Sequence, residues 1–308
     1  MILEILFNLI VFPGLLFQTL CGFLFEWLDR KMLARYQRRI GPRIFQPVAD
    51  LLKLFSKENI LPKGSNHTIA AALPLISLAS VTTAGIYIPV AGFSPQSFAG
   101  DLIVVMFLMS VPTLAYYLSG VVSVGIYSLL GGGRSLLQFF SYEVPLIIAL
   151  SGPAILANSW TILEILQAQK ELGSFVVFQP IGFGLAVIGL IGKLKRDPLD
   201  IPKAKSEVVA GALTEYTGPN LAFWRLVMNV QAVLGIFLLI NLFFGQISNI
   251  TLLRVIIFIA VALVITILLS TLSAIFARLR IDQLAEVGWR VLVPIGLLQL
   301  VFVVLLRF

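Results

Sequence analysis

Apolar runs of about twenty residues recur along this chain of 308 residues, and they constrain its fold more than any other feature. A run of that length with few charges is long enough to cross a bilayer as a helix. The composition agrees, since 59% of the residues are hydrophobic and only 12% are charged. The short alternating segments typical of a membrane barrel are missing from the sequence. The sequence therefore predicts an all-α integral membrane protein.

Hydropathy predicts about eight membrane-spanning helices within one membrane domain, residues 1–308. The predicted spans are 5–27, 69–91, 101–121, 143–158, 174–192, 221–244, 252–274 and 290–306. Nineteen of the 22 Lys and Arg residues fall in the loops of one side, leaving only Lys170, Arg254 and Arg307 on the other. Because basic loops remain in the cytoplasm, both termini are predicted to lie outside the cell membrane. The net charge of +7 is thus explained by orientation, and we expect no nucleic-acid partner.

The first cytoplasmic loop, residues 30–66, carries nine of the basic residues. Within it, Pro47–Glu58 has the pattern of an amphipathic helix. Its apolar face is predicted to hold Val48, Leu51, Leu52 and Phe55, and its polar face Asp50, Lys53 and Lys57. Such a helix either lies on the lipid surface or docks against a partner subunit, and both interpretations remain open.

A second polar stretch, Lys193–Gly218, holds nine charged residues between two apolar spans, and we interpret residues 193–220 as a central cytoplasmic loop. It is either a solvated loop or a segment that dips into the bundle and carries ions. Asp200 lies between Pro198 and Pro202, where regular helix cannot form. Glu207 and Glu215 are eight residues apart and would share a face if the chain between them were helical.

Glu143 is placed by hydropathy at the start of the fourth span, close to Pro145. A carboxylate at that depth is costly unless it is paired, hydrated or protonated. Glu143 is therefore a candidate for a membrane-embedded proton site, the alternative being a residue that only caps a helix at the membrane edge.

Candidate catalytic or metal-binding residues are scarce. The single cysteine, Cys21, and the single histidine, His67, cannot alone hold a metal or an iron–sulfur cluster. The glycine run Gly131–Gly133 is followed by Arg134 rather than by Lys and Ser or Thr, so a phosphate-binding loop is not supported. We predict that this chain binds no cofactor and has no catalytic residue of its own.

Seven short motifs, in this order along the chain, resemble those of the complex I subunit-1 family. They are DRKMLAR at 29–35, RIGP at 39–42, QPVAD at 46–50, SYEVP at 141–145, DPLDIP at 197–202, SEVVAG at 206–211 and EYTG at 215–218. The resemblance implies a non-catalytic connector subunit of a ferredoxin-linked, ion-translocating oxidoreductase. In that family such a subunit lies between a hydrophilic redox arm, which holds the iron–sulfur clusters, and antiporter-like and small membrane subunits.

The resemblance also implies roles for individual residues. Glu143, Asp200, Glu207 and Glu215 match carboxylates that form the family's ion path. The first loop would dock the iron–sulfur and catalytic-like subunits, with Arg39, Arg43 and Lys53 as candidate contacts.

Two departures from the family pattern favour a particular type of complex. Only three residues separate Gly41-Pro42 from Gln46-Pro47, a short form that resembles membrane-bound hydrogenases and sulfane sulfur reductase rather than quinone-using members. Lys193, Lys203 and Lys205 stand where the family usually has acidic residues, which would change the local potential. The sulfane sulfur reductase type is slightly favoured because a hydrogenase must bring protons to its nickel site. A membrane-bound nickel–iron hydrogenase and a quinone-reducing complex I are the alternatives.

Two other classes of protein compete with this interpretation. The first is an independent secondary transporter, which the missing internal repeat disfavours. The second is a passive membrane anchor in which the buried carboxylates have no role.

Overall fold

The computed structural model of the chain describes residues 2–245 and 250–307, and the regular elements within these residues are all helices. The α-helices are α1 (Ile2–Ile10), α2 (Leu15–Tyr36), α3 (Gln46–Phe55), α4 (His67–Tyr87), α5 (Asp101–Val122), α6 (Ile126–Ala157), α7 (Ile162–Leu172), α8 (Phe175–Phe178), α9 (Pro180–Leu194), α10 (Lys205–Val208), α11 (Gly218–Leu239), α12 (Thr251–Ile275), α13 (Ile281–Val287) and α14 (Val293–Arg307). Single π-helical turns extend α11 to Phe244 and join α13 to α14. The all-α prediction is confirmed.

Seven helical segments in the described part of the chain are long and apolar enough to cross a membrane. The shorter apolar helix α9 accounts for the remaining predicted span. The fourth predicted span, 143–158, began too late, because α6 is one helix of 32 residues with Pro145 and Pro153 inside it. A buried helix tolerates such prolines when its neighbours support the freed backbone groups. Glu143 consequently lies in the middle of α6 and not at the start of a span.

Helix α11 forms the centre of the bundle. In its most apolar window, 89% of the residues are buried within the chain, compared with 28% for α12. A helix that is hydrophobic on all sides must be surrounded, and α11 packs against α2, α3, α4 and α9. The helices that carry Glu143 and Lys193, α6 and α9, pack directly on each other.

The loops predicted to be cytoplasmic meet on one face of the bundle, which we call the basic face. Thr217 accepts a hydrogen bond of 2.9 Å from the backbone N–H of Ile60. Ser273 donates to the carbonyl of Asp197 over 2.8 Å, and Arg134 pairs with Glu207. The sorting of loops into two sides therefore agrees with the fold.

The amphipathic helix of the first loop forms as α3, on the basic face. Its buried face is turned from the predicted one: Leu51 is half-buried against the core as predicted, but Leu54 is 8% exposed whereas Leu52 is 63% exposed. Phe55 contacts Phe223 of α11 edge to face, with ring centroids 5.4 Å apart. The helix is turned so that Leu54 faces the bundle, because α11 gives it an apolar surface to pack on.

Candidate functional site

A buried ion pair between Glu143 of α6 and Lys193 of α9 lies inside the bundle. The Lys193 ammonium donates to both carboxylate oxygens, over 2.7 and 3.0 Å. Ser110 of α5 donates to the same carboxylate and also lies 3.2 Å from the Lys193 nitrogen. A cavity of about 20 Å³ beside the pair is large enough for one water molecule. The carboxylate is thus paired, as its position in the membrane requires.

Lys195, two residues beyond Lys193, is also buried. Its ammonium lies over the ring of Tyr116, 4.5 Å from the centroid, an attractive cation–π arrangement. Its backbone has φ +51°, a left-handed conformation that ends α9 and aims the side chain back into the protein. Burial, followed by the like charges of Lys203 and Lys193, lowers the pKa of Lys195 to about 7.

Asp200 and Lys203 lie one turn apart in the segment after α9. Asp200 pairs with Arg278 over 3.2 Å, and its other carboxylate oxygen is buried without a hydrogen bond within the described residues. Lys203 lies 3.2 Å from the Met228 sulfur of α11. Burial raises the pKa of Asp200 to about 6 and lowers that of Lys203 to about 8.

A cavity of about 260 Å³ opens on the basic face beside Arg278, the ion-pair partner of Asp200. It is lined by charged side chains, among them Arg134, Glu207, Arg278 and Asp282. Arg134 and Glu207 form an ion pair at its wall. This polar cavity leads from the surface towards the Asp200–Arg278 pair.

Glu207 and Glu215 do not share a helical face. The chain between them is broken after the four-residue helix α10, where Val209 and Gly211 both adopt positive φ. Glu207 is exposed, while Glu215 is half-buried against the backbone of Gly125. The condition for a shared face, a helix between the two residues, is therefore not met, because the glycine and the tight turns interrupt the backbone hydrogen bonds.

The remaining predicted site residues lie at the surface or outside the described side chains. Arg39, Arg43 and Lys53 are all exposed on the first loop, where a partner could reach them. Lys205 begins α10, but its side chain lies outside the described part of the structure. None of the residues that the structure describes forms a group of three or more His, Cys, Asp or Glu able to hold a metal ion.

The structure therefore arranges ionisable groups in a row from the basic face into the bundle. Glu207 lines the cavity and Asp200 pairs with Arg278 of the cavity wall, Lys203 and Lys195 follow, and the Glu143–Lys193 pair is innermost. Sequence reasoning missed Tyr116, Ser110 and Arg278 as parts of this row. Tyr116 and Ser110 lie six residues apart in an apolar span, and nothing in the sequence singles them out from other polar residues of that span.

These features define a polytopic membrane protein with a buried charged site. The chain matches the family described as NADH dehydrogenase over residues 9–304. It belongs to this family, whose relatives include the H subunits of NADH-quinone oxidoreductases.

Two of these relatives cover most of the chain. It is 33% identical over 288 residues to the H subunit of NADH-quinone oxidoreductase from Dehalococcoides mccartyi (strain ATCC BAA-2266 / KCTC 15142 / 195), covering 90% of this chain and 80% of the relative. It is 34% identical over 293 residues to the second H subunit of the same kind of oxidoreductase from Syntrophobacter fumaroxidans, covering 89% and 87%.

A solved structure shows the same fold. One chain of the membrane-bound sulfane sulfur reductase, an archaeal respiratory membrane complex, superposes with a TM-score of 0.87. The sequence identity is 27%, and the match covers 94% of this chain and 96% of that chain. The resemblance found in the sequence motifs is therefore confirmed.

Proposed function

We propose that this chain is the membrane connector subunit of a ferredoxin-linked, ion-translocating respiratory oxidoreductase, coupling a hydrophilic redox arm to antiporter-like subunits. The observation that carries the proposal is the row of buried ionisable groups that ends at the Glu143–Lys193 pair. A passive anchor has no need of such groups, since each charge buried in a membrane protein is costly. Connected titratable groups are what a path for ions or protons requires.

The hydrophilic redox subunits, with their iron–sulfur clusters, would bind on the basic face. The exposed side chains of Arg39, Arg43 and Lys53 lie there, and the cavity lined by Glu207 and Arg278 opens on the same face. Positive charge on the first loop suits contact with an acidic surface. In this arrangement the basic face is cytoplasmic and both termini are outside.

The coupling role is tested by replacing Glu143 in the intact complex. Because Glu143→Gln leaves the Lys193 charge buried and unpaired, the matched variant is Glu143→Gln with Lys193→Met, which removes both charges. We expect the double variant to assemble and to retain electron transfer while losing ion translocation. Normal translocation by an assembled double variant would support a passive anchor.

The type of complex is proposed to be that of a sulfane sulfur reductase. The fold match to a chain of such a reductase and the short segment between Gly41-Pro42 and Gln46-Pro47 support this choice. Purification through this subunit, followed by metal analysis and assays with a low-potential donor, tests it. Iron without nickel, together with polysulfide reduction, is expected.

The same assay identifies the alternatives. Nickel together with hydrogen evolution would instead indicate a membrane-bound hydrogenase. Quinone reduction would indicate a complex I, the activity in the names of the two relatives.

A further inference from the structure

Two lysines of the central segment, shielded from solvent, lack a carboxylate partner within ion-pair distance among the described residues. Lys195 is 8% exposed and faces the Tyr116 ring, and Lys203 is half-buried against the Met228 sulfur. Lys193, in contrast, is neutralised by Glu143. An ammonium group buried without a counter-charge is easily converted to the neutral amine, because burial penalises only the charged form.

Lys195 occupies the middle of the charged row. The charges that act on it are those of Lys203 on the side of the basic face and of Lys193 and Glu143 on the inner side. Tyr116 covers it from α5, and Trp224 of α11 packs edge to face on Tyr116 with ring centroids 5.8 Å apart. This aromatic wall gives the amine a surface that tolerates both its charged and its neutral form.

We propose that Lys195 is a proton-exchanging site, which alternates between ammonium and amine as protons pass between the Asp200 side and the Glu143–Lys193 pair. This inference rests on the proposed function. In uptake, an O–H bond breaks on a proton donor on the Asp200 side, either water or the carboxyl group, and an N–H bond forms on the Lys195 amine. In release, that N–H bond breaks and the proton binds the Glu143 carboxylate, which loosens its hold on Lys193.

The pKa of about 7 for Lys195 suits this exchange, since a proton carrier works best when its pKa is near the ambient pH. Its neighbours tune it further. Each like charge on Lys203 or Lys193 favours the neutral amine, while the Glu143 carboxylate favours the ammonium. Breaking or forming the Glu143–Lys193 pair would therefore change the proton affinity of Lys195.

The test uses the intact complex in sealed vesicles, with electron transfer and ion translocation measured together. Lys195→Arg keeps a permanent charge, and Lys195→Met keeps the approximate length without a charge. If the site must exchange a proton, the rate of ion translocation should fall at least about tenfold in both variants while electron transfer continues. The control is Lys170→Arg, which changes an exposed lysine on the opposite face.

Each other outcome overturns the proposal in its own way. Full translocation by Lys195→Arg would mean that a fixed positive charge suffices, and dependence on chloride would then identify an anion site. Full translocation by Lys195→Met would mean that neither charge nor proton is needed.

A third variant leaves Lys195 itself in place, for the case that neither substitution assembles. Lys203→Met removes a like charge and should therefore raise the pKa of Lys195. The alkaline pH at which half of the translocation is lost should rise by about one unit. An unchanged pH profile would overturn the proposal. If the Glu143→Gln and Lys193→Met double variant loses translocation but the Lys195 variants keep it, this inference alone fails.

Discussion

Lys193 binds both carboxylate oxygens of Glu143, at 2.7 and 3.0 Å, from a position fifty residues later in the chain. The pair makes one neutral unit of two side chains that would each be costly alone in the membrane. Lys193, which stands where the family usually has an acidic residue, thus neutralises the charge of Glu143. Glu143 and Lys193 should be treated as a single site, and substitutions of either one as changes to both.

The stability of the complex should report this pairing. Glu143→Gln or Lys193→Met alone leaves a buried charge without a partner, and each should cost about 3–5 kcal/mol. The double variant should be close to the native protein, because no charge is left unpaired. Thermal unfolding of the purified complex checks the prediction. Additive losses in the double variant would show that the two charges do not stabilise each other.

The pH dependence of the free energy of unfolding should reveal the titration of the Lys195 amine. Its pKa of about 7 in the folded protein lies below the ordinary value of 10.5. Between those values the unfolded chain holds a proton that the folded chain does not, so unfolding free energy rises with pH, by at most about 1.4 kcal/mol per unit. Below pH 7 the full cost of burying the charge is present.

The measurement compares thermal midpoints between pH 6.5 and 9.5. Lys195→Met should make the rise with pH less steep, leaving the part due to Lys203, whose pKa of about 8 also lies below 10.5. Lys170→Met, on an exposed residue, should leave the rise unchanged. Parallel curves for the native protein and Lys195→Met would show that this amine titrates normally.

The sequence was sufficient to predict the number of apolar helices, since apolar length depends on local composition, but it placed the start of the fourth span too late because α6 continues through polar and glycine residues. The side-chain pairs were harder, because they depend on how separate helices pack. The Glu143–Lys193 contact joins α6 to α9, and the Asp200–Arg278 contact joins the central segment to the loop after α12. The separation of these residues along the chain gives no sequence pattern from which either contact could be predicted.

Local patterns also failed where the backbone departs from regular helix. Glu207 and Glu215 were expected to share a face only if the chain between them were helical, and the positive φ of Val209 and Gly211 prevents this. In α3 the pattern predicted the helix correctly but placed Leu52 rather than Leu54 on its buried face, since the two leucines are equally apolar. Only the position of α11 decides which of them is covered.

These two leucines provide a matched pair of variants. Leu54→Ala removes buried packing and should cost about 2–5 kcal/mol of stability. Leu52→Ala changes an exposed side chain and should alter stability by less than about 0.5 kcal/mol. If the exposed face of α3 docks a hydrophilic partner, Leu52→Ala should still weaken its retention during size-exclusion chromatography. Unchanged retention would favour a lipid-facing helix.

The glycine run of α6 has a structural role that the sequence left open. A Cβ at Gly131 would overlap the backbone of Gly211, so the missing side chain lets the central segment lie against α6. A Cβ at Gly133, two residues later in the same helix, would meet no atom within 4 Å. The two positions therefore differ in packing while sharing the same helical backbone.

Gly131→Ala should displace the central segment and with it Asp200 and Lys203, because the contact is with backbone that cannot rotate away. We expect reduced assembly of the complex and loss of ion translocation. Gly133→Ala should be neutral or stabilising by up to about 1 kcal/mol, since alanine favours helix over glycine. Assembly yield and thermal unfolding of both variants test the prediction. Equal behaviour of the two would mean that the central segment does not depend on its close approach to α6.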